Sequence, residues 1–471
     1  MAFNVTNQQF KSVLQTIQNR YIRIELLNYQ FQTVDEISGV VTAGNIQCDA
    51  DADIRRTGDI TMVVTDSSFE VESGNRIWLD RYLKVWIGIE ELVGTDIVWT
   101  KCGIFIIDAP SYQYDLSTHT LQLSLLDLMA KMTEVRNGYL PGVPVILSAG
   151  ENIRQAIIDT IKLAGFTKYI VEEAPGDGNI PMDLEFPQGS TVYDLLNGLN
   201  QIYPFHEIFF DVDGVFHYQS IPTGKEEPTV IDDTLFDNIV TKETLDTDFQ
   251  NVKNVIEVYG RTHDPAHFST ETTVSGSTIN LTIADVESYQ TDMIYGFTLT
   301  DNPGYNNMQL KINNLTSYPI RMSDGVTSAE IVAESGQVYF CVQFKGEYWY
   351  WLGHLQAYGY AEDDNPQSPF YINSTVGQIR LPLFGGEYDN CLTDDLAQQR
   401  AERELYLHTN MNNTVTLSAL AVPWLDVNIK VEYTLKTNNV KAEYLIKSFD
   451  FGLSVQDGMT IKMVQFYPDS V

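Results

Sequence analysis

Hydrophobic and polar residues alternate along much of this chain, and the places where the period changes divide it. From residue 21 to about 120 the alternation is clear in Ile60-Thr61-Met62-Val63-Val64 and in Leu83-Lys84-Val85-Trp86-Ile87-Gly88-Ile89, with turn residues between the runs, which predicts a β-barrel or sandwich. A further strand, Leu121-Gln122-Leu123-Ser124-Leu125, leads to Asp127 and a short helix bearing Leu128, Met129 and Met132. The Asp127 carboxylate is suited to accept from the free amides of that first helical turn. Ahead of these strands, Phe10, Val13, Leu14 and Ile17 fall on one face of a short amphipathic helix.

From residue 140 to 222 the pattern is mixed. Ile153, Ala156, Ile157 and Ile161 share one face of a helix over 152–164, and Gly165 closes it at the C-terminal capping position. Val192, Leu195, Leu196, Leu199 and Ile202 recur at helical spacing. Beyond them, Ile208-Phe209-Phe210-Asp211-Val212 and Val215-Phe216-His217-Tyr218-Gln219 flank Asp213-Gly214, the dipeptide that a two-residue type I′ turn prefers. A one-faced helix laid on an aromatic hairpin thus completes a second unit, and an acidic stretch with Pro and Gly over 221–233 reads as a linker.

A β run, Val252-Lys253-Asn254-Val255-Ile256-Glu257-Val258-Tyr259, opens a third unit that breaks off at Gly260; a helix over 395–408 and strands over 427–434, 442–450 and 459–466 continue it. The residues between form an insertion with strands of its own, among them Tyr339-Phe340-Cys341-Val342-Gln343-Phe344 and Glu347-Tyr348-Trp349-Tyr350-Trp351-Leu352 around Lys345-Gly346. Such an insertion leaves the interrupted unit able to fold, because loop-closure entropy grows slowly with length. The expected fold is mainly β with α+β character: a first β-barrel domain over 1–139, an α/β domain with the helix and hairpin over 140–231, a second β-barrel domain made of 232–260 plus 394–471, and an inserted β-sandwich-like domain over 261–393. The two β-units are candidates for distant duplicates.

At 471 residues, 44% hydrophobic and 11% aromatic, the chain has material for roughly three packed domains. No apolar run reaches the roughly 18 residues that span a bilayer, and Met1-Ala2-Phe3-Asn4 lacks the layout of a signal peptide, so a soluble, unprocessed chain is expected. Cys48, Cys102, Cys341 and Cys391 lie far apart without metal-ligand spacing, as expected of buried thiols in a reducing cytoplasm. Sixty-three acidic against 29 basic residues give a formal charge of −34. That balance argues against tight nucleic-acid binding, which needs Lys and Arg to neutralise phosphates and release counterions. It suits either general solubility or a conduit whose carboxylates let a polyanion pass without sticking.

Candidate chemistry is sparse. Asp49-Ala50-Asp51-Ala52-Asp53 opens like a calcium loop, but Ile54 stands where such a loop needs Gly and Ile60 where a bidentate Glu belongs, which favours an acidic turn. His263 and His267 are four apart, yet Pro265 between them opposes the helix that would align them on a metal. Asp177, Asp211 and Asp213 read as turn acids rather than as carboxylates converging on a sugar. No Gly-x-Ser-x-Gly elbow, phosphate loop or Cys-His signature occurs. Tyr348, Trp349, Tyr350 and Trp351 stand out: on a strand, Trp349 and Trp351 share one face and Tyr348 and Tyr350 the other. One face is core, and the other is a candidate contact for glycan or, preferably, for a second subunit. No catalytic residue, cofactor site or metal site is assigned.

The segment Ile54-Arg55-Arg56-Thr57-Gly58-Asp59-Ile60-Thr61-Met62-Val63-Val64 resembles the opening of tail-tip hub proteins from phages of Gram-positive hosts. So do Arg76-Ile77-Trp78-Leu79, Trp86-Ile87-Gly88-Ile89, and Trp99 followed by Cys102-Gly103-Ile104-Phe105. The strand running from Leu123 to Asp127 is similar to the one that closes the hub's first domain, and the helix and hairpin over 191–220 recur in such hubs. Residues 397–407, Pro423-Trp424-Leu425-Asp426, Tyr444-Leu445-Ile446 and Gly458-Met459-Thr460 resemble the second barrel. Together these stretches cover most of 20–260 and 394–471. The insertion, through Gln309-Leu310-Lys311-Ile312, Pro319-Ile320, Gly336-Gln337-Val338-Tyr339 and Trp351-Leu352-Gly353, is similar to a small β-module of phage tail proteins.

This resemblance implies a structural virion protein at the distal end of the tail, synthesised in the host cytoplasm. It would be the homotrimeric hub of a tail tip or baseplate, its six β-domains mimicking sixfold order. The hub would join a hexameric tail tube or distal tail protein to a threefold central spike or fibre, near the tape-measure protein, and line the channel through which DNA is ejected. Related hubs often carry a cell-wall-degrading domain beyond the second barrel, and this sequence ends at Val471, so no enzymatic activity is expected. The competing reading is a carbohydrate-binding or carbohydrate-active tail protein acting on host surface glycans.

Overall fold

The structure, a computed structural model, describes residues 19–465 apart from 38, 65–66, 92–95, 117, 143, 176–177, 181–182, 204–205, 223–238, 304–306, 323–324, 330, 335–337 and 411–412. The helix expected at Phe10, Val13, Leu14 and Ile17, residues 223–233 of the expected linker, and Asp177 lie outside the described residues.

Seven strands come first: β1 (Arg20–Leu27), β2 (Thr33–Glu36), β3 (Gly39–Asp49), β4 (Arg56–Val64), β5 (Tyr82–Glu90), β6 (Ile97–Asp115) and β7 (Thr118–Leu126). A mixed region follows with β8 (Val145–Leu147), α1 (Ile153–Leu163), β9 (Tyr169–Val171), β10 (Leu184–Phe186), α2 (Val192–Asn200), β11 (His206–Phe210) and β12 (Phe216–Ser220). Next come β13 (Val240–Thr247) and β14 (Val255–Thr262). The insertion supplies β15 (His267–Phe268), β16 (Glu271–Ser275), β17 (Thr278–Thr282), β18 (Ile294–Thr298), β19 (Gln309–Ile312), β20 (Tyr318–Arg321), β21 (Tyr339–Phe344) and β22 (Trp349–His354). The chain finishes with β23 (Gln356–Glu362), β24 (Arg380–Phe384), α3 (Asp394–Asn410), β25 (Asn413–Ala419), β26 (Lys430–Thr434), β27 (Lys441–Gly452) and β28 (Met459–Gln465).

Strands from the two ends of the chain form one antiparallel sheet of twelve, in the order β13-β25-β28-β27-β3-β4-β7-β6-β5-β1-β2, with β26 beside β27. The halves meet where Ser448, Phe449, Asp450, Phe451 and Gly452 of β27 pair with Asp49, Cys48, Gln47, Ile46 and Asn45 of β3. Ile46, Ile60, Leu123, Val415, Phe449 and Ile461 point into a single core shared by both halves. Alternation then puts Gln47, Asp59, Gln122, Thr416, Asp450 and Thr460 on the other face.

The two halves repeat one pattern. Strands met in the order β3, β4, β5, β6, β7 lie in the sheet as β3-β4-β7-β6-β5, and β13, β25, β26, β27, β28 lie as β13-β25-β28-β27-β26. The match extends to register. Cys48 faces Arg56 as Thr247 faces Asn413, and Thr57 faces Leu126 as Thr414 faces Val464. Ile106 faces both Tyr82 and Leu126, as Leu445 faces both Lys430 and Val464. Both first strands carry an irregularity at the same point, between Val41 and Ala43 and between Val240 and Lys242. Both long strands bulge where they leave their short partner, after Ile107 in β6 and after Ile446 in β27, which bends a strand from one surface into another.

Between the adjacent strands β13 and β25 the chain makes its longest excursion. The run read from sequence as opening the second β-unit becomes β14, and it does not join the large sheet: it pairs with β23 and β24. The reason is burial. Val255, Ile256 and Val258 are all fully buried, so both faces of β14 need cover, which a strand with one wet face does not provide. The insertion is an eight-stranded mixed sheet, β15-β18-β21-β22-β20-β19-β17-β16, closed around Trp349, Tyr295, Phe297 and Phe340.

The α/β region follows its local signals closely. Asn152 caps α1 by accepting from the Gln155 amide, and Ile153, Ala156, Ile157 and Ile161 are buried. Thr191 and Asp194 form a reciprocal capping box on α2. The hairpin differs from expectation in its turn: Phe210 pairs with Phe216, so 211–215 form the loop. Asp211 rather than the Asp213-Gly214 pair organises it, its Oδ1 accepting from the amides of Asp213 and Val215 while Gly214, at φ 69°, donates to the Asp211 carbonyl.

The α/β region is locked to both halves of the sheet by buried charge. Arg55, 4% exposed, pairs with Glu207, 6% exposed, and its guanidinium lies 4.0 Å from the centre of the Phe209 ring. The Asn428 amide reaches Glu207 Oε2 at 2.5 Å, and Gln219 reaches Oε1 at 2.9 Å. Next to it, Arg56 pairs with Asp426 at 2.6 Å and donates its own N–H to Asp127, whose other oxygen caps the helical turn at Met129. Removing one partner leaves the other charge buried alone. Glu207→Ala should therefore lower stability by about 3–5 kcal/mol, and the Arg55→Met/Glu207→Leu double variant should restore most of it; denaturant midpoints of the full chain provide the check.

Candidate functional site

In the aromatic run expected to present one free face, three of the four residues are buried and Tyr348 is half-buried. Trp349, Tyr350 and Trp351 are 0%, 4% and 6% exposed. Trp349 and Trp351 fill the core of the insertion, with Trp349 Nε1 donating to the Leu310 carbonyl at 2.9 Å. On the opposite face, Tyr350, with Tyr348 beside it, packs into the core that holds the α/β region and α3. Strand β22 is sandwiched between two cores of its own chain, which leaves Trp349, Tyr350 and Trp351 no surface to offer glycan or subunit.

The other singled-out residues are dispersed. Asp49 accepts from the Asp51 amide, Asp51 pairs with Lys447 at 2.5 Å and Asp53 accepts from the Tyr193 hydroxyl at 2.7 Å, so the carboxylates of that acidic turn face different partners. Asp211 holds His217 at 3.0 Å and Asp213 pairs with Lys101. His267 stacks on Tyr295, while His263 is buried elsewhere, its N–H donating to Leu355. Among the described residues no group of three or more His, Cys, Asp or Glu is placed to hold a metal ion. All four cysteines are buried free thiols, and burial pushes Cys48, Cys102 and Cys341 up to about 12.

What the structure brings together is a set of joints and edges. At the root of the insertion, where β22 runs into β23, His354 is held between two carboxylates: Nδ1 lies 2.7 Å from Asp394 and Nε2 3.0 Å from Glu334. Asp394, the first residue of α3, also accepts from the backbone N–H groups of His354 and Tyr358. Gly353 permits this approach, because a Cβ there would stand 2.0 Å from the Asp394 carboxylate, and its φ is 91°. The hydrogen bond with Asp394 raises the His354 pKa, against the effect of burial, and Glu334 adds to the rise. Burial has the opposite effect on His263 and lowers it to about 4.

The two open edges are the second feature. In β27, the stretch after the bulge is covered by β3. In β6, the equivalent stretch, Pro110, Ser111, Tyr112 and Gln113, has β7 on one side and no strand on the other among the described residues. The equivalent of β3 is β13, whose second edge is also without a strand. Leu245 on β13 corresponds to Ile46 on β3 and is 42% exposed where Ile46 is 0%. Sequence patterning does not find these positions, because an open edge strand and a covered one share the same alternation.

The chain is mainly β, with a duplicated half-sheet and two strand edges left unpaired among the described residues. Comparison with solved structures identifies the fold. The chain is similar to the 43 kDa tail protein of prophage MuSo2 from Shewanella oneidensis, at 14% identity over 95% of this chain and 99% of that one, with a TM-score of 0.52. It also matches a tail protein from Neisseria meningitidis (10% identity, 95% and 99% covered, TM-score 0.49) and prophage tail protein gp18 from Listeria monocytogenes (9% identity, 95% of each chain, TM-score 0.44). Residues 367–469 match a family described as a domain of unknown function, DUF5048. No curated protein matches the sequence. The chain shares the fold of a phage tail protein along nearly its whole length.

The two histidines at the root of the insertion give opposite pH dependences. His354 contributes stability that is complete below its unfolded pKa of about 6.5 and is lost as pH rises through its higher folded value. His263 costs stability as pH falls from about 6.5 towards 4. The melting-temperature gap between the native protein and His354→Gln should be widest near pH 6 and narrow steadily towards pH 9. A gap independent of pH would show that His354 contributes by packing alone.

Proposed function

We propose that the chain is a structural component of a phage tail tip or baseplate, a hub that acts by forming a closed ring of three copies. The observation that carries this reading is the repeat within the large sheet. Joint β27–β3 connects one half to the next inside a chain, and the 110–113 stretch of β6 and the outer edge of β13 are the same two edges left without a strand among the described residues. Setting β13 of one copy on β6 of the next repeats the internal joint, and a repeated head-to-tail contact that closes makes a ring. Equivalent registers put Tyr112 opposite Leu245 of the neighbour, as Phe451 lies opposite Ile46. Three copies then give six similar modules, which suits a junction between a hexameric tail tube or distal tail protein and a threefold spike or fibre.

The face opposite the core supports a passive channel. Its exposed or half-exposed side chains are mostly Gln, Thr and Asp, with Lys242 and Lys462 among them, and so offer a phosphate backbone few cations to bind; DNA moving past would release few counterions and stick weakly. This role asks for shape and charge, not for a reacting group.

Mass measurement on purified protein, or on the tail tip that contains it, should give three copies of 53.3 kDa. Leu245→Asp, which charges the expected joint, should reduce the species to single copies while leaving the melting temperature nearly unchanged, since Leu245 is half exposed within one chain. The Tyr112→Cys/Leu245→Cys variant should yield disulfide-linked oligomers. A species that stays monomeric inside assembled tails, or cysteine pairs that never cross-link, would defeat the ring.

A further inference from the structure

A cleft of about 820 Å³ opens between the α/β region and the root of the insertion. One wall is β10 with Asp183 before it; the other carries Arg261, His263 and Asp264 from the end of β14, and Asp292 and Lys345 from the insertion. Three observations bear on what it takes. The first is an open strand edge: among the described residues β10 pairs only with β8, in a two-stranded ribbon of three residues each, shorter than a ribbon that stands alone in water.

The second is charge. Glu185 and Asp264 are exposed, and Asp183 holds the Ala149 amide at 2.8 Å. Lys345 is matched by Asp292 at 2.8 Å, which leaves Arg261 against three carboxylates. The third is His263, 5% exposed, a lining residue whose ring nitrogen Nε2 is shielded from solvent and has no hydrogen-bond partner among the described residues. Its ring is hydrogen-bonded to the Leu392 backbone and burial lowers its pKa to about 4, so the imidazole adds no positive charge to the cleft. Carboxylates beside a neutral imidazole call for a basic ligand.

We propose that this cleft binds an extended, lysine- or arginine-bearing segment of another protein, added as a third strand to the free edge of β10. Main-chain hydrogen bonds to β10 supply the register, and the carboxylates select the basic side chains. The inference does not depend on ring formation, because the cleft is complete within one chain.

The probe is a fluorescent Lys-Thr-Lys-Thr-Lys-Thr peptide, with Glu-Thr-Glu-Thr-Glu-Thr as its counterpart, titrated into the full-length protein at physiological salt. The basic peptide should bind and the acidic one should not. Glu185→Lys/Asp264→Lys should weaken binding about tenfold or more, whereas Glu70→Lys/Glu72→Lys, the same charge change outside the cleft, should leave it unaltered. Amide exchange at Leu184, Glu185 and Phe186 should slow when the peptide is bound. Equal weakening by both double variants would reduce the effect to general attraction by an acidic chain, and unaltered exchange at β10 would eliminate strand addition. Either result, or no binding at all, overturns the proposal while leaving the oligomer mass free to test the ring.

Discussion

Two adjacent arginines, buried where three parts of the chain converge, are the constraint on which this architecture depends. Arg55 and Arg56 follow the tight turn between β3 and β4, and they face in different directions: one to Glu207 of the α/β region, the other to Asp426 of the C-terminal half. A guanidinium taken out of water is costly unless its hydrogen bonds are replaced. Here carboxylates, an asparagine amide on the shared carboxylate and an aromatic face replace most of them, the buried Arg56 Nε alone of these nitrogens having no partner among the described residues. The penalty for any other arrangement is therefore large, and a single geometry of the three parts is selected. Hydrophobic contact alone would tolerate sliding; a charge with one acceptable partner does not.

That fixed junction lets a sheet of twelve strands serve two purposes. Its inward face builds one core from both ends of the chain, so the halves cannot unfold independently without exposing the same residues. Its bulges, at matching points in β6 and β27, turn the long strands from their short neighbours towards the next half. The bend of the sheet is thus written into the backbone of each half. The insertion is tied in by a different chemistry, an imidazole shared between two carboxylates at its root, which makes its attachment sensitive to protons.

Much of this was legible in the sequence, and the failures have identifiable causes. Helices α1 and α2 are readable because their apolar faces are local properties: Ile153, Ala156, Ile157 and Ile161 on one, and Val192, Leu195, Leu196 and Leu199 on the other, recur at helical spacing. Strands β4, β5, β7, β21 and β28 were readable from alternation. The hairpin at 206–220 was placed correctly and its turn was not, because the Asp211 side chain competes for the turn amides more effectively than Asp213-Gly214 sets a two-residue loop. Strand β14 was assigned to the wrong sheet, since a run of apolar residues states that a strand is covered without stating by what. The aromatic run of the insertion misled for the same reason: period two gives two faces, and only packing reveals that Tyr350 meets a second core. The cleft and the open edges left no trace, because both are made by residues distant in sequence whose individual patterns are ordinary.

Where the chain leaves the large sheet and returns to it is also informative. It departs after Thr247 and re-enters at Asn413, and these two residues are register partners across β13 and β25. Everything from β14 to α3 hangs from the ends of two neighbouring strands, like a tool held in a chuck. Lengthening, trimming or replacing that cargo changes nothing in the spacing the sheet must keep. A lineage under pressure to contact new neighbours is free to rebuild the excursion, while the junction of arginines and the shared core keep the sheet unchanged.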